Sequence, residues 1–467
     1  MDAPTPAVAA SPTESAARAV VRLALPAIAT GLLSTLVFLA DRVMLARHRQ
    51  DELASMQLQG PLLWSVGSVF MAVCAGTVAL VARSTGAGDL VRARAVARAS
   101  LRLAAVLGLV VGGLGIALLE PLVLVFGPDD AALRGLSASY LRLTFASLPF
   151  EFVALSASMI LAGSGDTRTP LFAGAVANLS NIAINALLIY GHDLPALGLH
   201  IPALGVRGAA TGTAIAFVIE AVVLLRVLGR DQHPLDTRGW WRRGDPHGGQ
   251  ALRDLFRLGT PAVLERVLVH AGFLSYAKAV ATLGAVAMAA NQALITVESI
   301  CFMCADGFGV AAATVMGQRL GRGDPSGARE GGRIALAMAI TAITSLGVMV
   351  WLTGGWTLPM FVPPGADGTA LVALAAQALP LLALSQPGMT AGIVLSMGLR
   401  GVGDTRTPLL AATVGGLLIR VTLAWTFAIG LDLGLVGVWW ASTIDWCVRA
   451  TWLTIVFVRG RWTRIVI

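Results

Sequence analysis

Charge is scarce in this chain. Only 13% of its 467 residues are Asp, Glu, Lys or Arg, about half the share of an ordinary soluble domain, which excludes most water-soluble folds. Lysine is nearly absent, because Lys278 is the one lysine among 34 basic residues. The four cysteines, Cys74, Cys301, Cys304 and Cys447, all lie in apolar stretches without clustered histidines. They read as small core residues, and no metal centre is expected. Gly-x-Ser-x-Gly, His-Glu-x-x-His and paired-aspartate motifs are missing from the apolar stretches, so a membrane-embedded enzyme is a remote alternative. Residues 1–17 have no basic leading region and contain Asp2 and Glu14. A disordered tail is expected there, not a cleavable signal.

Apolar residues dominate what is present, at 56%. Spanning a bilayer takes roughly 20 of them per helix. Twelve runs qualify, the first at 22–46 and the seventh at 258–281, and all are expected to be helices because a helix closes its own backbone hydrogen bonds in lipid. The fold class is therefore all-α integral membrane, with twelve transmembrane helices. Arginines crowd alternate connections: Arg83, Arg92, Arg94 and Arg98 after the second run, Arg238, Arg242 and Arg253 after the sixth, and Arg319, Arg322 and Arg329 after the eighth. By the positive-inside rule those connections and both termini are cytoplasmic, in a multi-pass inner-membrane protein. The net charge of +8 is thus a topology signal and implies no nucleic-acid partner.

The chain also repeats. Gly165-Asp166-Thr167-Arg168-Thr169-Pro170 recurs unchanged as Gly403-Asp404-Thr405-Arg406-Thr407-Pro408. Gly86, Gly88 and Asp89 match Gly321, Gly323 and Asp324, and Gly208 matches Gly437. Two pseudo-symmetric six-helix bundles follow, at 18–228 and 257–460, joined by a cytoplasmic segment at 229–256 and ended by a tail at 461–467. Parallel repeats of this kind rock against each other in alternating access. Prolines within or beside spans supply bends, with Pro26 the candidate gate or hinge.

Asp41 is the notable charge, since a carboxylate inside a span is costly unless paired, hydrated or protonated. At about 1.5 Å per residue, Asp41, Asn181, Asn185 and Thr213 all fall in the outer half of the bilayer. Asn181 and Asn185 share one helix face, and the four side chains suit a proton network or a sodium ion. The structural alternative is an ion pair of Asp41 with Arg42 or Arg47. Glu265, Asp306, Glu298, Arg420 and Asp445 are further intramembrane charges, many able to pair with one another. Glu265 and Asp306 are possible contacts from the C-terminal half, whereas Glu151 and Glu220 read as interfacial or helix-contact residues.

Arg22-Leu23-Ala24-Leu25-Pro26 followed by Asp41, the duplicated Gly-Asp-Thr-Arg-Thr-Pro turn, and the run Ala290-Asn291-Gln292, Asp306-Gly307-Phe308, Gly317-Gln318 and Gly321 resemble the multidrug and toxic compound extrusion (MATE) family. The eighth-span run is most similar to its DinF-type branch. The resemblance implies a secondary antiporter that expels small organic, often cationic compounds against an inward H+ or Na+ flow, working in the bilayer as a monomer with no cofactor. It places Asp41, Asn181 and Thr213 on the family's coupling cluster, with Na+ possible at Asp41. Asn185 stands where archaeal-type members carry an aspartate, and Ala154, Leu155 and Ser158 replace their fourth-span asparagines. Val269 occupies the position of a cation-binding glutamate found in other branches. With a single acid, one proton per cycle is favoured. A lipid-linked precursor flippase of the same superfamily is the alternative, and the first-span aspartate argues against it.

Overall fold

The computed structural model describes residues 14–126, 130–194, 199–242, 245–362 and 367–465. Helices α1 (Ala16–His48), α2 (Gln50–Gly86), α3 (Leu90–Ala117), α4 (Leu119–Phe126), α5 (Ala131–Ser164) and α6 (Arg168–Tyr190) come first. A short antiparallel pair, β1 (His192–Leu194) and β2 (Leu199–Ile201), precedes α7 (Val206–Leu228). Then follow α8 (Gly248–Thr282), α9 (Ala285–Gly321), α10 (Pro325–Leu352), the short α11 (Gly354–Thr357) and α12 (Thr369–Gly401). The next span combines α13 (Arg406–Ala412), a π-helical segment Thr413–Ile419, α14 (Arg420–Trp425) and a second π-helical segment Thr426–Gly430, and α15 (Gly434–Arg459) closes the set.

Eleven helices among the described residues are long and apolar enough to cross a membrane. The run expected as a seventh span lies inside α8, an unbroken helix whose polarity is raised by Glu265, Arg266 and His270. At the N-terminus, α1 begins at Ala16, within the stretch expected to be a tail, because Ala16, Ala19 and Val20 are buried and Arg22 pairs with Glu14 at 3.1 Å. Residues 1–13 lie outside the described part. The expected C-terminal tail also folds back: Arg461–Arg464 form a 3-10 turn and the buried Trp462 donates to the Phe457 carbonyl at 3.0 Å.

The repeated motifs adopt the same local structure twice. Gly165 and Gly403 take φ of 98° and 96°, a left-handed conformation that glycine tolerates. The carboxylate after each then caps the next helix: Asp166 accepts from Thr169 N at 3.0 Å and Asp404 from Thr407 N at 3.0 Å. Asp89 and Asp324 cap α3 and α10 in the same manner, by Arg92 N at 2.9 Å and Gly327 N at 2.8 Å. Hydrogen bonds from Gly327 and Ser326 hold the Asp324 carboxyl below the usual range. Gly208 and Gly437 each admit a neighbouring backbone, at Leu188 and Phe427 respectively.

The chain divides into two compact units, but not at a single seam. The first holds residues 29–77 and 89–255; the second holds residues 14–28, 78–88 and 256–465. The ends of α1 and α2 therefore depart from the expected 18–228 bundle. Small residues explain their membership of the second unit: Gly307 of α9 abuts Ile28, Gly86 abuts the Gln318 backbone, and Leu23 and Ala24 join the apolar core of α9 and α12. Within the first unit, the connecting segment is held by arginines of α3. Arg94 donates to the Pro234 carbonyl at 2.8 Å, Arg98 to that of Asp236 at 2.9 Å, and Arg92 pairs with Asp254 at 2.9 Å.

Two predictions follow from this packing. A Cβ on Gly401 would come within 2.5 Å of Ala313 backbone atoms, whereas one on Gly135 meets nothing within 4 Å. Gly401→Val should destabilise the protein by about 1–3 kcal/mol through overpacking, while Gly135→Ala leaves thermal stability in detergent unchanged or slightly higher. The second concerns His233, buried in the connecting segment with its Nδ1 accepting from Leu235 N at 3.2 Å. That bond requires a neutral ring, and burial, outweighing nearby Asp166 and Asp236, holds the imidazole below its ordinary value. Its contribution is therefore present above about pH 6.5 and lost as pH falls below it. Hydrogen exchange at Leu235, corrected for intrinsic rates, should lose protection on acidification in the native chain but not in His233→Asn, whose amide oxygen replaces Nδ1. Equal pH dependence in both would contradict this assignment.

Candidate coupling site

In the first unit α1, α5, α6 and α7 converge on Asp41. Its side chain is buried, 8% exposed, and makes no ion pair among the described residues. Arg42, the sequence neighbour able to neutralise it, instead lies over the Phe38 ring at 4.2 Å. Asp41 is held by amides: Asn185 Nδ2 donates to its Oδ1 at 2.7 Å and also to Asn181 Oδ1 at 3.1 Å. Asn181 Nδ2 reaches Thr213 Oγ1 at 3.3 Å. With the Asn181 amide turned over, its nitrogen donates to Asp41 Oδ1 at 3.0 Å and its oxygen accepts from Thr213 N at 3.2 Å. In either orientation the four residues expected from the sequence form one cluster.

Local sequence explains the convergence. Asn181 and Asn185 are buried at i and i+4 on α6, so both face α7 and α1. Gly212 on α7 makes room, because a Cβ there would overlap Asn185 Oδ1. That oxygen has no hydrogen-bond partner among the described residues, which leaves one buried acceptor beside the carboxylate. The sequence reading missed Tyr140. Its buried hydroxyl on α5 lies beside Thr213 and Thr144 and within the field of Asp41. The signal was available in the spacing of Tyr140, Thr144 and Ser147, a buried polar stripe at i, i+4 and i+7 on an otherwise apolar helix.

Carboxylate, amide oxygens and hydroxyls are hard oxygen donors, and they fit a proton or a sodium ion better than a soft metal. Among the described residues no group of three or more His, Cys, Asp and Glu side chains could hold a metal ion.

The other sequence-derived candidates lie elsewhere. Glu265 of α8 pairs with Arg400 of α12 at 2.5 Å, while its Oε2 has no hydrogen-bond partner among the described residues. Asp306 of α9 lies in the fields of Arg266 and Arg400. Both belong to the second unit and not to the Asp41 cluster. Glu151 of α5 and Glu220 of α7 are partly buried in the first unit, close enough to repel, and neither forms an ion pair among the described residues. Pro26 lies within a continuous α1, where it removes one backbone N–H from the helix ladder.

Two sets of apolar helices that share repeated motifs, the first of them enclosing a buried acid, mark a polytopic membrane transporter. The MatE family model matches residues 26–187 and 261–426, and the chain belongs to that family. It is 30% identical over 459 residues to "Probable multidrug resistance protein NorM" of Pseudomonas aeruginosa, covering 96% of this chain and 90% of the relative. Identity to the Thermotoga maritima protein of the same name is 26% over 451 residues, covering 95% and 92%. Among solved structures, an outward-facing conformation of a multidrug resistance MATE family transporter of the MOP superfamily matches with TM-score 0.85 at 21% identity, covering 96% of this chain and 97% of that one. A MOP superfamily transporter from Pyrococcus furiosus, described as having reversed polarity in its binding pocket, matches with TM-score 0.85 at 22% identity, covering 96% of both chains. These likenesses establish the fold, and the protein is a multi-pass membrane transporter.

Gly212→Ala should displace Asn185 from Asp41 and reduce transport about tenfold, the cost of one hydrogen bond to a charged group, with protein level unchanged. Uptake equal to that of the native chain would show that the contact is dispensable.

Proposed function

We propose that this transporter is a secondary antiporter that exports organic, lipophilic and often cationic compounds, driven by inward H+ or Na+ flow through the Asp41 cluster. The observation that carries the reading is a buried carboxylate held by neutral amides and, among the described residues, by no arginine. A carboxylate locked to a guanidinium, as Asp445 is in the second unit, keeps its charge and exchanges nothing. Asp41 carries no such partner, so its charge is available to a proton or sodium ion arriving from one side and leaving to the other. The names of the NorM relatives support the substrate class.

In this reading Asp41 takes up the coupling cation, Asn181 and Asn185 hold the carboxylate while it is vacant, and Thr213 and Tyr140 complete the oxygen shell. One cation moves per cycle, since the cluster contains one acid. Pro26 acts as the hinge of α1 because the missing N–H leaves its turn of the helix one backbone hydrogen bond short. The arginine-rich connections support an inner-membrane location with both termini cytoplasmic, and the chain works as a monomer.

In inverted membrane vesicles energised by separately imposed proton and sodium gradients, Asp41→Asn should abolish uptake of a fluorescent organic cation without lowering protein level. Undiminished uptake in the variant would end this reading. Transport in the absence of either gradient would favour a flippase of the same superfamily.

A further inference from the structure

Four helices of the first unit carry a second polar level along the faces that surround Asp41. Eleven residues make about three full turns of helix, so residues spaced that way share a face roughly 16 Å apart. On α5, Tyr140, Thr144, Ser147 and Glu151 follow one another at i, i+4, i+7 and i+11. On α1, Thr30 stands eleven residues before Asp41. On α6, Gly174 stands seven before Asn181 and eleven before Asn185. On α7, Glu220 follows Thr213 by seven, two turns along the same face. The faces that build the Asp41 cluster therefore continue to Thr30, Glu151, Gly174 and Glu220.

Contacts bring this deeper level together. A Cβ on Gly174 would lie 3.9 Å from Thr30 Cγ2 and 4.0 Å from Glu220 Oε1, and one on Gly67 of α2 would lie 3.7 Å from Glu151 Oε1. Glu151 lies in the field of Glu220, and Tyr140, beside Thr213, lies in the fields of both Asp41 and Glu151. Among the described residues no cation of α1, α2, α3 or α6 acts on either glutamate, and neither makes a hydrogen bond or an ion pair. Each other and Tyr140 are the titratable groups that they face. Two carboxylates placed together inside a membrane without a cation cannot both ionise, so they hold a proton between them. Between the levels the buried hydroxyls of Thr144 and Ser147 donate to the Tyr140 and Thr144 carbonyls at 3.1 and 2.8 Å, which leaves their oxygens as acceptors along α5. The levels also differ in depth. Asp41 is seven residues from the His48 end of α1, whereas Glu220 is eight from the Leu228 end of α7, which leads into the arginine-rich connection.

We infer that Glu151 and Glu220 form a second proton-binding station, sharing one proton, through which a proton that leaves Asp41 passes on its way to the arginine-rich side. The inference rests on the proton form of the Asp41 reading. The proton breaks from an Asp41 oxygen, moves along the hydroxyls of Thr213, Tyr140, Thr144 and Ser147, and bonds to whichever glutamate is ionised. The pair then gives up one proton at its far side and returns to the shared state, so one proton still crosses per cycle.

Two measurements on the full-length chain test this: uptake of radiolabelled tetraphenylphosphonium into inverted vesicles under an imposed proton gradient, and proton release from the purified protein when the same cation is added. The double variant Glu151→Gln, Glu220→Gln should slow uptake at least about tenfold, the loss of a positioned proton carrier, and leave proton release and tetraphenylphosphonium affinity within about twofold of native. If it does not fold, Glu220→Gln alone should slow uptake severalfold and deepen the slowing seen in D2O, because proton transfer through the remaining acid becomes limiting; a merely structural loss leaves the ratio of rates in H2O and D2O as it is in the native chain. Native uptake rates in a folded double variant, loss of proton release in it, an unchanged D2O ratio in Glu220→Gln, or a native chain without proton-driven uptake would overturn the inference. In the first of these cases Asp41→Asn would still abolish uptake and release. Normal uptake and release in Asp41→Asn would instead end the coupling reading, and this inference with it.

Discussion

Everything in this molecule is organised around the cost of placing charge among helices that face lipid. A buried ion must be matched inside the protein, and the chain uses two solutions that differ in chemistry. Asp445 receives a guanidinium in bidentate contact, and a second one stands beside it. Among the described residues Asp41 receives only amide donors. The first arrangement fixes a charge permanently, because removing either partner strands the other. The second stabilises a carboxylate without committing it, since amides hold it in place yet leave its charge unneutralised. Transport by ion exchange requires the second kind.

Close helix packing makes both arrangements possible. Small residues let backbones approach, as Gly307 does Ile28 and Gly401 does Ala313, and leave room for polar side chains, as Gly212 does for Asn185 and Gly415 and Gly416 do for the Asp445 and Arg449 pair. In lipid there is little hydrophobic gain between helices, so such contacts together with interhelical polar bonds hold the units together. Glycine here shapes the sites as well as the fold, because the same missing Cβ that lets helices meet also opens room for a polar side chain.

Much of this architecture was legible in the sequence because membrane folding imposes strong patterns. Apolar runs gave the helices, and the duplicated Gly-Asp-Thr-Arg-Thr-Pro turn gave the two halves, whose matching caps at Asp166 and Asp404 follow directly from identical residues. The Asp41 cluster was also visible, since polar residues in spans are few and their depths can be counted. What escaped were features that depend on packing partners distant in the chain. The assignment of 14–28 and 78–88 to the second unit depends on Gly307 and Gln318, which lie far along the sequence. Tyr140 escaped because a lone tyrosine resembles a membrane-belt residue until a neighbouring helix places Thr213 beside it. The π-helical turns around Arg420 carry no periodicity that differs recognisably from an ordinary apolar helix.

The central claim is that an unpaired Asp41 exchanges a cation during transport. Its most direct measurement is ion binding to the purified protein, with proton release read by a pH indicator dye on addition of tetraphenylphosphonium and sodium binding read with radioactive sodium. The account predicts that one of these two signals is present in the native chain and lost in Asp41→Asn. Proton release and sodium binding that are both identical in the two proteins would contradict it.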